Sequence, residues 1–391
     1  MTDYLPSASS RQRVTFAESQ KFSFCTTWFD KVADQDRKYI VNIFVDTKEI
    51  EIMDVGRKQA FLKRCPYPEL DMTKFYLGNS VVIHGRQHNI VEFANEYTKK
   101  ALSSAQERTC AIVKPHAYGA NPNIFKDLLR ELHKNQLAVS RLQLSQLTPQ
   151  DAAQFYAEHV SKPFYPSLQQ MITSGPALII ELVGDQAVQK WRNIIGPTDP
   201  RQALPQHLRS KYGISVTENA FHGSATPQEA EREIQIAFQL RPLCAPEHSR
   251  TAVIVIEPTF KAQYGDILSH LFTQINQVSG LVVSGIHSAD PVAADIDELF
   301  KAYQGVIPNW RSYCDAFDDG VCIAIELTGS NDVIQNARNI VGPFDPEIAK
   351  LLKPQSVRAV FGKDCVQNAV FVTDIAEEAE IHSDFWFRCA E

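Results

Sequence analysis

The chain has 391 residues, of which 44% are hydrophobic and 22% are charged, and its formal net charge at pH 7 is −7. This balance is typical of a globular protein, and at roughly 150 residues per domain the length predicts two or three domains, of which we expect three. The acidic charge excludes a field that attracts nucleic acid, and no apolar run reaches the ~20 residues needed to cross a bilayer. We therefore expect neither nucleic acid nor a membrane as a partner.

The N-terminus and the cysteines indicate an intracellular protein. The N-terminal stretch is polar, with Arg11 and Arg13 but no apolar segment, so it lacks the features of a signal peptide and a cytoplasmic location is expected. Eight cysteines are scattered along the chain without a CxxC pair. This scatter predicts buried free thiols rather than a zinc site or a disulfide framework.

The first hundred residues have a β-rich pattern. Residues 40–53 are rich in β-branched side chains and partly alternate, and turn signals follow at Gly56, Pro66-Tyr67-Pro68 and Gly78-Asn79. We predict a tail over residues 1–15 and a separate, mostly β module over residues 16–105.

An internal repeat organises the remainder of the chain. Arg192-Asn193-Ile194-Ile195-Gly196-Pro197 reappears as Arg338-Asn339-Ile340-Val341-Gly342-Pro343, and Asp-Pro follows each one residue later. Glu218-Asn219-Ala220 likewise matches Gln367-Asn368-Ala369. A repeat of this length indicates duplicated domains. We predict copies over residues 106–240 and 249–391, joined by a Pro-containing linker over residues 241–248.

Short apolar runs alternate with helical patterns in the first copy. Strands are predicted near residues 109–113, 137–144 and 177–183. Helices are predicted after Thr148 and after Thr226, the latter opening with a capping box and a proline. This alternation predicts an α/β sandwich, with the second helix facing the sheet through Ala230, Ile234, Ala237 and Phe238.

Four segments of the first copy carry a specific resemblance. They are Phe155-Tyr156-Ala157-Glu158-His159 with Lys162-Pro163-Phe164; Ser174-Gly175-Pro176-Ala177; Gly196-Pro197-Thr198-Asp199-Pro200; and Asn219-Ala220-Phe221-His222-Gly223-Ser224. Through them the first copy resembles the nucleoside diphosphate kinase family along its whole length, and the second copy resembles it more distantly. The resemblance implies an α+β protein whose two kinase-like domains are ferredoxin-like α/β sandwiches.

The first hundred residues resemble, more loosely, the DM-ten module of axonemal proteins. The match runs through 44–52, 61–64 and 77–90. It implies a β-rich N-terminal DM-ten module, a location in the ciliary or flagellar axoneme, and contacts with tubulin, the doublet microtubule and other axonemal proteins.

The kinase resemblance implies a covalent phosphoryl carrier. A nucleophile that stores the phosphoryl group divides one difficult transfer into two, and histidine suits this near pH 7. The family nucleophile matches His222, and the glutamate that orients it matches Glu233, with Ser224 beside that glutamate.

The resemblance also implies the nucleotide contacts. Magnesium is expected to be held mainly by the phosphates, with no metal ligands from the protein. Lys114 and Tyr156 match residues nearest the γ-phosphate and the nucleophile. The other matching positions are Arg192, Thr198, Arg209 and Asn219 for phosphates and sugar, and Phe164 and Val216 for the two sides of the base.

Two residues of the first copy depart from the family pattern. His116 stands where an aspartate is usual, and Gln206 replaces the glycine that usually follows Pro205. The first is expected to perturb the loop near Lys114 and the second to stiffen the loop carrying Arg209, so a weakened activity is expected.

The second copy lacks most of the matching residues. It retains Arg338, Arg358 and Asn368. Phenylalanine has no lone pair for a phosphoryl group, and a carboxylate repels one. We therefore predict that only the first copy is a kinase, because Glu257, Phe300, Phe344 and Phe371 replace the lysine, tyrosine, threonine and histidine.

Two functions of different class remain open. The first is magnesium-dependent exchange of terminal phosphates between nucleoside tri- and diphosphates, combined with attachment to doublet microtubules. The alternative is a catalytically weak or silent structural protein of the axonemal doublet. The complete constellation in the first copy, against four losses in the second, favours the enzyme.

Overall fold

The fold is taken from a computed structural model, which describes residues 21–30, 35–76, 80–102, 107–291, 293–317, 320–329 and 332–388. The tail predicted over residues 1–15, the match at Leu77-Gly78, the turn at Gly78-Asn79 and Cys389 lie outside these residues. The described residues form two compact units, one lying within residues 1–81 and 88–101 and the other within residues 82–87 and 102–391. In the described residues no helix is both long and apolar enough to span a membrane.

The first unit is built on a six-stranded sheet, which confirms the predicted β-rich region. Its order is β4-β3-β2-β1-β6-β5. Side chains of β3 alternate between half-buried and buried, as expected for a strand with one face on a core. Phe24, Val41, Ile43 and Ile50 are fully buried in that core. The strands are β1 (Lys21–Asp30), β2 (Gln35–Phe44), β3 (Glu49–Asp54), β4 (Gln59–Pro66), β5 (Ser80–Ile83) and β6 (Arg86–Phe93).

The second unit contains one eight-stranded sheet with the order β10-β7-β9-β8-β12-β13-β11-β14. Each half has the ferredoxin-like order, in which the first strand lies between the third and the fourth. The first half contains β7 (Glu107–Val113), β8 (Ala138–Ser145), β9 (Ala177–Gly184) and β10 (Phe221–Gly223), and the second contains β11 (Ala252–Ile256), β12 (Val282–Ala289), β13 (Cys322–Thr328) and β14 (Val370–Val372).

Helices connect and cover these strands. Helix α1 (Glu96–Leu102) follows β6. The helices of the first copy are α2 (Pro115–Tyr118), α3 (Asn123–Lys134), α4 (Pro149–Phe155), α5 (Tyr165–Ile172), α6 (Ala187–Ile195), α7 (Leu208–Tyr212) and α8 (Pro227–Ala237). Those of the second copy are α9 (Tyr264–Ile275), α10 (Ala293–Leu299), α11 (Trp310–Asp315), α12 (Val333–Val341), α13 (Pro346–Leu352), α14 (Val357–Phe361) and α15 (Ala379–Ser383).

The three strands predicted in the first copy are found as β7, β8 and β9, and both predicted helix starts are found. At α4, Thr148 and Asp151 form a reciprocal capping box. At α8 the prediction was only partly right. Thr226 accepts the Glu229 N–H, but the Glu229 carboxylate accepts from Ala225, one residue before the cap. The helix start is therefore capped without the reciprocal bond.

The two copies pack directly against each other. Strand β8 pairs with β12 in antiparallel register, His287 opposite Gln143. On one face α3 lies against α9, where the Phe125 and Phe272 rings are 4.6 Å apart. A Cβ added at Gly265 of α9 would lie 2.9 Å from a backbone oxygen of α3, so the helices touch at their backbones there. Each copy thus supplies the neighbour of the other's edge strand.

Candidate active site

The candidate nucleophile lies at the centre of β10. His222 is opposite Ile112 of β7, and 14% of its side chain is exposed, so the ring is held by the sheet while one side remains accessible. The rings of Phe155 and Tyr156 meet it edge-on, at centroid distances of 5.2 and 5.5 Å. The imidazole therefore stands in a mostly apolar wall with a restricted range of orientations.

A carboxylate on α8 fixes the tautomer of this ring. Nε2 of His222 lies 2.9 Å from Oε2 of Glu233, and the same oxygen accepts the Ser224 hydroxyl at 2.6 Å. Burial raises the pKa of Glu233, but the His222 charge and the two hydrogen bonds outweigh it and bring the pKa below its ordinary value. An ionised carboxylate at Nε2 places the ring proton there. Nδ1, which has no hydrogen-bond partner in the described part of the chain, is left as the free lone pair.

A tight turn precedes the nucleophile. Ala220 has φ = +67°, and the Phe221 N–H donates to the Asn219 carbonyl at 2.9 Å across it. This is a γ-turn of the strained kind. Outside the turn, the Lys114 N–H donates to the Ala220 carbonyl at 2.9 Å, and the Ala220 N–H donates to Nε2 of His116 at 3.2 Å.

Three cationic side chains lie in this part of the fold. Lys114 is buried, and its Nζ donates to the Thr217 carbonyl at 3.0 Å. Burial lowers the pKa of Lys114 to about 7, and the Arg209 charge adds to this. Arg209 is also buried and bonds the carbonyls of Gly196 and Phe221, whereas Arg192 is exposed. Burial and then the Arg192 charge lower the pKa of Arg209 to about 10. Within the described residues, neither buried cation forms an ion pair with a carboxylate.

Two buried polar groups in the same region also lack partners. The Tyr156 hydroxyl and Oδ1 of Asn219 are buried without a hydrogen bond to any described residue. Nδ2 of Asn219 donates to the carbonyls of Thr198 and Val216. Leaving such groups unpaired is costly, so both remain available to hydrogen-bond a ligand.

The remaining predicted contacts lie at the rim. Thr198 is exposed, and about half of each side chain of Phe164 and Val216 is exposed, at 52% and 49%. Apolar side chains in this state are suited to cover a flat ring. These contacts link a set of residues into one region: His222, Glu233, Lys114, Tyr156, Arg209, Asn219, Thr198 and Val216. The His159 ring lies 5.7 Å from the Phe164 ring and 6.1 Å from the Tyr156 ring, which connects Phe164 to the region. Arg192 is near enough for its charge to lower the pKa of Arg209. The individual roles stay predictions.

The corresponding region of the second copy is filled by its own side chains. The Phe300 and Phe371 rings stack at 4.3 Å. Glu257 is fully buried, and burial raises its pKa to about 8, so the group is largely neutral at pH 7. Neutral Glu257 therefore does not repel a phosphate as the sequence suggested. It differs from the lysine of the first copy by supplying no positive charge. Arg358 bonds the carbonyls of Gly342 and Val370, as Arg209 bonds their counterparts.

A further pair of substitutions in the second copy was not recognised from the sequence. By the repeat alignment, Thr373 and His382 stand where the first copy has Ser224 and Glu233. The Thr373 hydroxyl and Nδ1 of His382 are 2.8 Å apart, and burial lowers the pKa of His382 to about 4. A neutral imidazole has thus replaced the orienting carboxylate. Aligning the copies one position at a time beyond the His222 motif would have found it.

A buried tryptophan behind the nucleophile was also missed. Nε1 of Trp191, on α6, donates to the His222 carbonyl at 2.9 Å. A Cβ added at Gly223 would lie 2.6 Å from the Trp191 ring. The glycine after the histidine is therefore required by this close approach. Its place directly after the histidine was the only signal for it in the sequence.

Comparison with known proteins gives concordant matches. The family model described as nucleoside diphosphate kinase matches residues 107–242 and 251–391. The mouse protein called nucleoside diphosphate kinase homolog 7 is 30% identical over 378 residues, which cover 95% of this chain and 94% of that protein. A nucleoside diphosphate kinase of Hydrogenovibrio crunogenus is 42% identical over 132 residues, covering 34% and 92%. The solved Aquifex aeolicus nucleoside diphosphate kinase is 34% identical, with a TM-score of 0.33 and coverage of 34% and 96%.

Proposed function

Because this chain belongs to the nucleoside diphosphate kinase family, we propose that its first copy exchanges terminal phosphates between nucleoside tri- and diphosphates through a phosphohistidine at His222. The observation that carries the proposal is the 2.9 Å contact between Nε2 of His222 and Glu233. It leaves Nδ1 as the nucleophilic atom. The exchange is a double displacement.

In the first half-reaction, the Nδ1 lone pair of His222 attacks the γ-phosphorus. The bond from phosphorus to the β–γ bridging oxygen breaks, and its electrons leave with the nucleoside diphosphate. The proton on Nε2 stays there, and the Glu233 carboxylate stabilises the positive charge that develops on the ring. A second nucleoside diphosphate then attacks the phosphohistidine in reverse.

Charge on the transferring phosphoryl group requires cations around it. We assign this role to Lys114, Arg192 and Arg209, with Thr198, Tyr156 and Asn219 as donors to phosphate and sugar oxygens. The described residues contain no group of three or more His, Cys, Asp or Glu able to hold a metal ion. We propose that magnesium arrives on the nucleotide phosphates as part of the substrate, where it neutralises charge on their oxygens.

Base recognition is assigned to Phe164 and Val216. Stacking on a ring face accepts any base, since every base offers a π surface. A broad nucleotide range follows.

The second copy is proposed to be catalytically silent. Its ring stack occupies the nucleophile position, and the buried Glu257 stands where the first copy has Lys114. We retain the proposed domain limits, with the kinase domains at residues 106–240 and 249–391 and the linker at residues 241–248.

Labelling tests the enzymatic proposal. Incubated with magnesium and γ-phosphate-labelled ATP, the full chain is expected to form an acid-labile, base-stable phosphohistidine, and the label should chase onto any added nucleoside diphosphate. His222→Ala should abolish the label. His133→Ala is the matched control, because His133 is exposed on α3. A wild-type chain that binds nucleotide but takes up no label would contradict the proposal.

We further propose that residues 16–105 are a DM-ten module that attaches the protein to ciliary doublet microtubules. The support is the resemblance of residues 44–52, 61–64 and 77–90 together with the β-sheet of that region. The alternative, a catalytically weak or silent structural protein of the doublet, shares this attachment. The extent and rate of labelling in the experiment above separate the two.

A further inference from the structure

His116 differs from the aspartate usual in the family and makes a hydrogen bond that the sequence did not suggest. Its Nε2 accepts the Ala220 N–H at 3.2 Å. Ala220 is the central residue of the γ-turn that ends one residue before His222. The imidazole of His116 is thus bonded to the backbone that presents the nucleophile.

Accepting this bond specifies the state of the ring. A nitrogen that accepts carries no proton, so the ring is neutral and its proton is on Nδ1. Nδ1 is buried without a partner among the described residues. The charged groups that face the ring are Lys114 on its own segment and Glu218 on the segment before Asn219. Burial and then Lys114 lower the pKa of His116, against an opposing effect of Glu218.

The second copy separates the turn from the hydrogen bond. Ala369 has φ = +79°, so the same positive φ is present there. The residue that corresponds to His116 is Thr259, whose hydroxyl donates to Glu257 instead. The positive φ is therefore adopted there without a side-chain acceptor from this position. Of the two copies, the first has the side-chain acceptor, and it is also the copy in which the candidate nucleophile, His222, follows the turn.

We propose that His116 is a positioning residue, whose neutral ring holds the Ala220 turn and so keeps His222 in line with the phosphoryl group. Protonation of His116 removes the acceptor and turns an N–H toward an N–H, which loosens the turn. A strained turn stays in place only when its surroundings determine it, and a small displacement of a nucleophile is costly in rate. This inference rests on the proposed phosphohistidine function.

Two variants separate positioning from folding. His116→Thr installs the residue that the second copy uses beside the same turn, so the fold is expected to persist. His116→Gln keeps an acceptor at about the distance of Nε2, but one that does not titrate. In single-turnover labelling, His116→Thr should slow phosphohistidine formation by about tenfold while nucleotide Kd stays within about twofold. His116→Gln should stay within about threefold of wild type.

The pH dependence of the labelling rate distinguishes a positioning residue that titrates from a residue with a purely structural role. In wild type, protonation of His116 should add a loss of up to about tenfold on the acid side of the labelling-rate profile, the same size as the loss expected for His116→Thr. His116→Gln has no titrating ring at this position, so its acid limb should lack that added loss. Circular dichroism over the same range checks that the fold is retained.

The outcomes are distinct from those of the functional test. A wild-type chain that takes up no label defeats the phosphohistidine proposal itself. If wild type labels but His116→Thr labels at the same rate, or if wild type and His116→Gln share one acid limb, the positioning role is overturned. His133→Ala again serves as the matched control.

Discussion

Lys114 is unusual among the site residues because its charge is barely maintained. Its side chain is buried, its Nζ donates to the Thr217 carbonyl, and burial together with Arg209 lowers its pKa to about 7. A nucleotide phosphate beside it would favour the ammonium form. The protonation of this lysine is therefore coupled to nucleotide binding.

We expect nucleotide binding to take up a proton at pH 8. The free protein holds Lys114 largely neutral there, and the complex holds it charged, so affinity should weaken by up to about tenfold per unit as the pH rises above 7. Without nucleotide, the unfolded chain binds more protons than the native one between pH 7 and 10.5, so this group makes stability rise with pH across that window.

Calorimetric titration at pH 8, in two buffers of different ionisation enthalpy, measures the uptake. Lys114→Met should abolish it. An unchanged uptake in that variant would show that another group titrates.

At the scale of elements, β10 and α6 are fitted to each other differently in the two copies. In the first, Gly223 leaves room for Trp191, which bonds the His222 carbonyl. In the second, Val372 and Ala337 stand at the corresponding positions and are both buried. The larger side chain of the pair is thus on the helix in the first copy and on the strand in the second. Only the first arrangement provides an indole N–H behind the nucleophile.

Gly223→Ala should therefore destabilise the first copy. The new Cβ would lie 2.6 Å from the Trp191 ring, so the ring or the strand must move, at a cost of about 1–3 kcal/mol in the free energy of unfolding. Labelling of His222 should fall as well. Chemical denaturation measures the first effect, with Gly119→Ala as control, because nothing lies within 4 Å of a Cβ there. Equal stability of the two variants would contradict the account.

Local signals explain which elements could be predicted. Strands β7, β8 and β9 are marked by apolar runs, and α4 and α8 by Thr-Pro starts, all of which are short-range features. The γ-turn at Ala220 was not predictable, because alanine rarely adopts positive φ and the tertiary contacts impose it. The neutral state of Glu257 likewise depends on burial, which one position in a sequence does not reveal.

At the scale of the whole molecule, the duplication was readable but its packing was not. Strands β8 and β12 would each be an unprotected edge in an isolated copy, and their pairing removes both edges. The periodicity of a strand does not state which neighbour it pairs with. The sequence likewise does not indicate that the rings of Phe125 and Phe272 meet across the two copies.

Attachment and catalysis are assigned to different parts of the chain, so they should be separable. The proposed DM-ten region has its own sheet and buried core, whereas every residue assigned to phosphoryl transfer lies between Lys114 and Glu233.

Removing residues 1–100 should release the protein from salt-washed axonemes and leave phosphohistidine formation largely intact. His222→Ala should do the opposite, with binding kept and labelling lost. Linked modules raise one another's effective concentration, so the truncated chain should retain a weak residual affinity. Co-sedimentation with isolated axonemes measures the binding of both variants. A truncated chain that sediments as firmly as the full one would move the anchor to the kinase-fold copies, with the silent second copy as the first to test.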